Sequence, residues 1–294
     1  MRRIISVSVV LCITLGLVAA GLAIAADATA PAKAEKPAKA KAAPRQTAPA
    51  TAEFPPPAGG LIMAPPASEE GFVPIFNGKD LTGWDGNPKL WSVKDGVLRG
   101  ETTVENPTKG NTFCIWRGGT PGDFELRLTY RLHGGNSGVQ YRSKDMSNWV
   151  VGGYQAEIAN DGGRDGFIYE EKGKRGRMCL VGEKVVWGKD GKKVVGSVGD
   201  YEKIKSTFKK DDWNDYRIIA QGNHVVHYIN GVQMIDFTDD DEANRAMSGI
   251  IAIQIHAGGP MVIEVKDLRL KKLDSGAAAP AATAPKAEEK PAAK

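Results

Sequence analysis

The chain has 294 residues, with 39 Lys and Arg against 35 Asp and Glu, so its net charge of +4 is small for its length. Over residues 71–273 the excess of basic residues is only about two, which gives no electrostatic case for a nucleic-acid partner. Hydrophobic residues, with alanine counted among them, make up 41% of the sequence, but the large apolar ones are scarce in residues 26–70 and 274–294.

Residues 1–25 have the pattern of a secretory signal peptide: a basic start, an apolar stretch and the small-x-small site Ala23-Ile-Ala. We expect cleavage before Ala26 and therefore an exported protein, periplasmic or extracellular. The apolar stretch is also near the length of a membrane span, so an uncleaved N-terminal anchor is the alternative.

Residues 26–70 and 274–294 consist largely of Ala, Pro and Lys, with few large apolar side chains. Such segments cannot bury enough surface to offset the entropy lost on ordering. We predict that both are disordered and that the first is a linker, which could tether the domain to the cell envelope. The remaining residues, 71–273, match the size of one large β domain.

The predicted domain contains one short strand after another. Residues 124–132 alternate apolar and polar side chains, as in a strand with one buried face. Asp95-Gly96 and Asn230-Gly231 are typical hairpin turns, and residues 171–200 indicate long loops or a protruding hairpin. No long segment has helical periodicity. The sequence therefore predicts an all-β fold, an antiparallel two-sheet sandwich of the jelly-roll type.

Two cysteines remain once the signal peptide is removed, Cys114 and Cys179, and both lie among apolar residues. Export would permit a disulfide between them. Two buried free thiols are at least an equal alternative, because the neighbours of both cysteines are apolar, and neither cysteine has a metal-binding or redox-motif spacing.

Several separated motifs resemble a known family. They include Phe72-Val-Pro-Ile-Phe-Asn-Gly-Lys-Asp-Leu-Thr-Gly-Trp84, Gly134-Gly-Asn-Ser-Gly-Val-Gln-Tyr-Arg142 and Gly249-Ile-Ile-Ala-Ile-Gln-Ile-His-Ala-Gly-Gly-Pro260. In these motifs, which together span 72–272, the chain resembles the 3-keto-disaccharide hydrolase family. The resemblance implies a concanavalin A-like or laminarinase-like jelly roll with a carbohydrate on its concave face. It also implies hydrolysis of glycosides already oxidised to a ketone at C3.

Strand alternation predicts where the polar side chains lie. Residues two apart on a strand share a face, so three polar pairs are candidates for one sugar-binding surface. The alternatives are a solvated outer face and a purely structural histidine. The three pairs are Gln140 with Arg142, Gln155 with Glu157, and Gln254 with His256.

A 3-keto sugar changes the chemistry that an enzyme must supply. The ketone acidifies the C2 hydrogen, so one base, an enolate stabiliser and an acid for the leaving group suffice. We predict His256 and Glu157 as the two proton-transfer groups and Arg142 as the cation that neutralises the enolate. The predicted substrate-binding residues are Asn136, Gln140, Arg142, Gln155, Glu170 and Gln254.

The predicted function is an exported enzyme that cleaves 3-keto-glycosides by C2 proton abstraction, elimination and hydration. The chain lacks the E-x-D-x-x-E pattern of laminarinases, which disfavours ordinary retaining hydrolysis by two carboxylates. The alternatives are a non-catalytic carbohydrate-binding module of the envelope and a wall or adhesion protein. No cofactor is predicted, although a divalent metal between His256 and Glu157 is left open, and no oligomeric state is indicated.

Overall fold

The computed structural model describes residues 60–65 and 67–274. The predicted signal peptide, most of the predicted linker and nearly all of the C-terminal tail lie outside these residues. The described part contains seventeen strands and one short helix. In chain order they are β1 (Val73–Pro74), β2 (Trp84–Asp85), β3 (Trp91–Lys94), β4 (Val97–Thr102), β5 (Thr112–Trp116), β6 (Phe124–His133), β7 (Ser137–Asp145), β8 (Val151–Ile158), β9 (Ile168–Glu171), β10 (Arg177–Cys179), β11 (Glu183–Gly188), β12 (Gly191–Ser197), α1 (Tyr201–Ser206), β13 (Asn214–Gln221), β14 (His224–Ile229), β15 (Val232–Asp239), β16 (Ile250–Ile255) and β17 (Met261–Lys272).

The strands form two sheets that pack face to face. The larger has ten strands, in the order β12-β11-β15-β14-β13-β6-β17-β4-β3, with β1 also paired to β17. The smaller has seven strands, in the order β10-β9-β8-β7-β16-β5-β2. All the pairings are antiparallel except that of β11 with β15. The predicted all-β, antiparallel jelly-roll sandwich is confirmed. Within the described residues no helix is long and apolar enough to cross a membrane.

The main core lies between the two sheets and follows the predicted alternation. On β6 the buried, core-facing side chains are every second residue from Phe124 to Leu132. The predicted turns join β3 to β4 and β14 to β15, and Asp95 and Asn230 adopt the positive φ that such turns require. Local turn chemistry and a two-residue period thus account for most of the larger sheet.

The folded part begins earlier than predicted. Leu61 forms a bridge to Gly199 and Met63 to Val232, while Leu61 and Ile62 pack on the core. Glu69 binds the guanidinium groups of Arg127 and Arg269 across the larger sheet. The expectation of disorder up to residue 70 is therefore wrong for its last residues, because this apolar run at 61–63 finds partners on the domain.

Both cysteines are buried free thiols, which settles the alternative left open above. Cys114 packs in the main core beside β16, and the Cys179 thiol lies 3.5 Å from the carbonyl oxygen of Glu183. Burial raises the pKa of each thiol well above its ordinary value, so neither is reactive.

The β7–β8 hairpin folds back over the outer face of the smaller sheet. Val151 packs there on a small apolar cluster that includes Phe113 and Ala252, and the Phe113 N–H donates to the Trp149 carbonyl at 2.9 Å. A register shift between Tyr141 and Lys144 bends the hairpin. This hairpin covers the sheet only near the start of β8. The candidate site lies near the other end of β8.

Candidate functional site

A chain of side-chain hydrogen bonds crosses β7, β8 and β16 on the outer face of the smaller sheet. The Ser143 hydroxyl donates to Gln140 Oε1 at 2.7 Å, and Gln140 Nε2 donates to Gln155 Oε1 at 2.7 Å. Gln254 Nε2 donates to the same Gln155 oxygen at 2.9 Å. Gln155 Nε2 then donates to Glu157 Oε2 at 2.8 Å. The network therefore ends on a single carboxylate.

Strand alternation explains this arrangement. On β8, Tyr154, Ala156 and Ile158 face the core, so Gln155 and Glu157 face outward as predicted. In the ladder Gln140 lies opposite Gln155, and Gly138 lies opposite Glu157. A Cβ at Gly138 would lie 2.5 Å from Gln155 Cγ, so this glycine makes room for the network.

The glutamines of the network are too deeply buried to meet a ligand directly. Gln140, Gln155 and Gln254 are 0, 2 and 0% exposed, and each binds another member of the network. The prediction that they bind substrate is corrected in this respect: their contacts fix the rotamer of Glu157. Asn136, also predicted, is half-buried and reaches the solvent side of the same carboxylate.

Glu157 is a carboxyl group with a perturbed proton affinity. It is 7% exposed, and burial raises its pKa above the ordinary value. Hydrogen bonds from Asn136 Nδ2, at 2.6 Å, and from Gln155 oppose that rise, as do the charges of Arg164 and His256. Burial dominates, so the protonated form persists closer to neutrality than in a solvated glutamate. Such a group suits proton transfer.

His256 follows β16 directly and is exposed, at the accessible end of the network. Its Nδ1 lies 2.6 Å from the Ala257 carbonyl oxygen, which can only accept, so Nδ1 carries the proton. The other ring nitrogen, Nε2, then bears the lone pair of a base. The backbone N–H of His256 donates to the backbone carbonyl oxygen of Asn136 at 3.4 Å. This bond connects the histidine to the residue whose side chain binds Glu157.

Asn111 is a further residue of the site that sequence reasoning missed. Its Oδ1 accepts the Ala257 N–H at 2.9 Å, and its Nδ2 donates to Glu171 Oε1 at 3.2 Å. It thereby holds the turn that carries His256. In the sequence Gly110-Asn111 is ordinary turn chemistry, and no motif connects it to residues 145 positions later.

Arg142 is not at the site. It was expected to share a face with Gln140, but it lies in the β7 bulge with φ +47°, and its side chain is 1% exposed. Its Nε donates to Gly122 O at 2.9 Å, Nη1 to Gly222 O at 2.6 Å and Nη2 to Asp123 Oδ1 at 3.0 Å. The bulge breaks the alternation, so the predicted enolate-neutralising role is wrong.

Glu170 is also placed elsewhere. It lies opposite Tyr154 in the ladder, and therefore on the side of β8 away from Glu157. Arg175 Nε donates to Glu170 Oε1 at 2.9 Å, and the same guanidinium binds Asp239. This carboxylate belongs to a structural ion-pair cluster, which corrects its assignment to the sugar cleft.

Glu157 and His256 were left open as ligands of a divalent metal. Among residues 60–65 and 67–274, no three His, Cys, Asp or Glu side chains gather in a way that could hold one. The two residues thus form a pair without a third ligand of these types in the described part.

Residues 71–271 match the model of a family described as the 3-keto-alpha-glucoside-1,2-lyase-like domain. The chain belongs to this family. The match covers almost all of the described residues and confirms the resemblance inferred from the separated motifs. The family is carbohydrate-active.

A search of solved structures gives several similar chains. A Parabacteroides distasonis protein provisionally assigned as a glycosyl hydrolase is 23% identical, with a TM-score of 0.45 over 69% of this chain and 99% of that one. A second such protein from the same organism is 19% identical, with a TM-score of 0.47 over 72% and 100%. The Bacillus subtilis carbohydrate-binding module CBM66 is 12% identical, with a TM-score of 0.39 over 71% and 97%. No curated protein matches the chain significantly.

Proposed function

We propose that this domain cleaves 3-keto-glycosides by removing the C2 proton, expelling the C1 substituent and adding water. One observation carries the proposal: a buried carboxyl with a raised pKa, Glu157, is fixed by amides near a histidine whose Nε2 is free to accept a proton. A binding module needs hydrogen bonds and apolar surface for a sugar, but no such proton-transfer pair.

His256 and Glu157 each carry out one proton transfer of the elimination step. His256 Nε2 takes the C2 proton, and the electron pair of the C–H bond is delocalised onto the C3 ketone as an enolate. The enolate then expels the C1 oxygen with its bonding pair, and the Glu157 carboxyl protonates that oxygen. Water adds to C1 of the resulting enone while the Glu157 carboxylate takes its proton, and the protonated His256 returns a proton to C2, so both groups regain their starting states. The net reaction consumes one water.

The enolate needs a hydrogen-bond donor, and Arg142 does not supply it. Asn136 is the predicted donor that stays partly accessible, since one of its two Nδ2 hydrogens is used by Glu157 and the other is available. A preorganised amide donor of this kind stabilises developing negative charge on oxygen.

Ordinary retaining hydrolysis is a poor fit to the same geometry. It uses two carboxyl groups about 5–5.5 Å apart that flank the scissile bond. The outer-face network ends on one carboxylate, and its other members are neutral amides and a hydroxyl. A substrate already activated by a ketone makes the second carboxylate unnecessary.

We further propose that the protein is exported, on the strength of the signal-like residues 1–25. Fractionation of cells that produce the full chain, with N-terminal sequencing, tests this. A mature N-terminus at Ala26 in the exported fraction supports cleavage, whereas full-length protein in the membrane fraction supports the anchor.

The experiment for the activity is incubation with 3-keto-trehalose, 3-keto-lactose and their unoxidised parents. Cleavage of the keto sugars alone is expected, and His256→Ala should lower it by about 100-fold or more. His224→Ala, which removes a histidine from the other sheet, is the matched control and should retain wild-type rates. Equal cleavage of the unoxidised parents contradicts the mechanism, and undiminished cleavage by His256→Ala removes His256 from it.

A further inference from the structure

The turn that carries His256 has little to hold its own shape. It runs from Ala257 to Pro260 and contains Gly258 and Gly259, where an added Cβ would meet no non-neighbouring atom within 4 Å. Paired glycines in open space leave the backbone many conformations. The exposed imidazole needs a defined place if its Nε2 is to reach one particular C–H bond. Contacts from outside the turn must therefore fix it.

Within residues 60–65 and 67–274, two side chains bind this turn from other elements. Thr102 Oγ1 donates to the Gly259 carbonyl oxygen at 3.4 Å, which is long for a hydrogen bond between oxygens. Asn111 Oδ1 accepts the Ala257 N–H at 2.9 Å. Of the two contacts, that of Asn111 is the shorter and the nearer to His256. The position of the histidine thus depends mainly on the Asn111 amide.

The orientation of the Asn111 amide is determined by its two partners. The Ala257 N–H can only donate, so Oδ1 faces it and Nδ2 faces Glu171. Glu171 Oε1 accepts from Nδ2 at 3.2 Å. The reverse orientation would set two donors against each other at one end of the amide and two acceptors at the other. Glu171 therefore determines which end of the amide faces the histidine turn.

Glu171 lies on the same face of the smaller sheet as the amide network. It is the last residue of β9 and lies opposite Gly153 of β8 in the ladder. Gly153 is two residues before the outward-facing Gln155, and a Cβ at Gly153 would lie 2.6 Å from Ser143 Oγ, another member of the network. Opposed residues of an antiparallel ladder share a face, so β9 contributes a carboxylate to the side that carries Glu157.

The Glu171 carboxylate is buried, and in the described part of the chain it holds one hydrogen bond. It is 7% exposed, and the bond is the one from Asn111 Nδ2. Lys172 Nζ, at 3.9 Å from Oε1, is too distant for a hydrogen bond. A carboxylate removed from water is costly unless it is bonded, so the contact is favourable for both side chains. The buried carboxylate and the amide thus hold each other in place.

We propose that Glu171 is a positioning residue of the reaction and that it fixes His256 through Asn111. The inference rests on the proposed function. Glu171 transfers no proton in this role. Its carboxylate holds the Asn111 amide, the amide holds the Ala257 N–H, and the Ala257 carbonyl oxygen holds the Nδ1 proton of His256. Nε2 is thereby kept as the base and aimed by a turn that is anchored on β9.

Two variants of equal length separate this role from one in which the carboxylate acts by its charge. Glu171→Gln keeps an oxygen that accepts from Asn111 Nδ2, whereas Glu171→Met offers only a thioether, a weak acceptor. Glu171→Met should lower kcat for methyl 3-keto-glucoside by about tenfold or more and leave KM within about twofold, because the base is displaced. Glu171→Gln should keep both constants within about threefold of the wild type.

Lys172→Gln is the matched control, since it removes the charge nearest to Glu171 but no hydrogen bond, and it should behave as the wild type. In a chain that carries His256→Ala, Glu171→Met should cause no further loss, because residues that act as one unit are not additive. Equal losses from Glu171→Gln and Glu171→Met, a wild-type kcat for Glu171→Met, or a further loss in the double variant would overturn the proposal. Asn111→Ala removes the same link and serves if Glu171→Met does not fold.

NMR of the four histidines tests the link without a substrate. Long-range 1H–15N correlation distinguishes Nδ1–H from Nε2–H, and the spectrum of His256→Ala identifies the His256 signals. At about pH 8, where an ordinary imidazole is neutral, the wild type and Glu171→Gln should show the Nδ1–H tautomer. Glu171→Met should show a mixture of tautomers, since the turn no longer holds the Ala257 carbonyl against Nδ1.

An unchanged tautomer in Glu171→Met would overturn the link between Glu171 and His256. If no 3-keto-glycoside is cleaved by the wild type, the proposed function fails. The tautomer alone then decides whether Glu171 fixes the histidine.

Discussion

Glu157 is the residue on which the chemistry depends, and its environment opposes its charge. The three buried glutamines are neutral, and burial raises the carboxyl pKa despite two amide hydrogen bonds. The folded state therefore binds a proton on Glu157 at pH values where the unfolded chain has lost it. Stability from this group is present at low pH and falls as the pH rises through the folded pKa.

Glu157→Gln should lower turnover of a 3-keto-glycoside by about 100-fold or more, because an amide cannot supply the proton. It should also raise the melting temperature relative to wild type, and the gain should grow as the pH rises above the ordinary glutamate value of 4.5, because the ionised wild-type carboxyl is the costly form. Thermal unfolding at a series of rising pH values measures the gain. A gain that shrinks as the pH rises contradicts the account of Glu157.

Arg142 should prove structural. Arg142→Ala leaves Asp123 without its buried partner, and we expect it to lower the free energy of unfolding by about 3–5 kcal/mol. Denaturant titration measures this loss. Arg142→Lys, which keeps a positive charge, should retain turnover per folded molecule within about twofold. A 100-fold loss of turnover in well-folded Arg142→Lys would restore the catalytic role that alternation suggested.

Alternation could predict residues of the site only where the strands are regular. Gln155, Glu157 and Gln254 lie as a two-residue period requires, and His256 and Asn136 follow from their positions at strand ends. Arg142 could not be placed, since nothing local in the sequence reveals the bulge that reverses its direction. Contacts such as that of Asn111 depend on tertiary packing.

Among the elements, β14 carries a histidine that must stay neutral. His227 lies between the sheets; its Nδ1 donates to Gly166 O at 2.8 Å, so Nε2 accepts from the Tyr141 hydroxyl at 3.0 Å. Burial lowers its pKa to about 4 from the ordinary 6.5. The unfolded chain therefore binds more protons between these values, so stability is lost as the pH falls from 6.5 through 4.

His227→Gln should remove that pH dependence, because a glutamine amide can donate to Gly166 O and accept from Tyr141 without titrating. Between pH 7 and pH 4 the wild type should lose about 3 kcal/mol of unfolding free energy relative to the variant. Urea titrations at both pH values give the difference. His224→Gln, at a partly exposed histidine on the same strand, is the control, and an equal effect there would refute the assignment.

Elements with turn signals were predictable, and those defined by tertiary contacts were not. The Asp-Gly and Asn-Gly hairpins form where expected, and residues 171–200 contain the predicted hairpin as β11 and β12. That this hairpin also extends the larger sheet through a parallel pairing with β15 is a long-range contact without a local signal. Helix α1 has only six residues, too few for periodicity to show.

For the whole molecule, the segment before residue 71 is part of the fold. A chain that begins at residue 71 should unfold at a lower temperature than one that begins at residue 60. The expected cost is about 2 kcal/mol, because the apolar contacts of Leu61 and Ile62 are lost. Calorimetry of the two chains checks this, and equal melting temperatures would show that the bridges to Gly199 and Val232 contribute nothing.

The central claim is that this site moves the C2 proton of a 3-keto sugar, and one measurement tests it most directly. Methyl 3-keto-glucoside is cleaved in D2O, and NMR follows C2 of the released sugar, with 3-keto-glucose incubated alone as the control for background exchange. Elimination and hydration predict one deuterium at C2 per turnover, lost along with turnover in His256→Ala. Cleavage that leaves the original hydrogen at C2 would contradict the account.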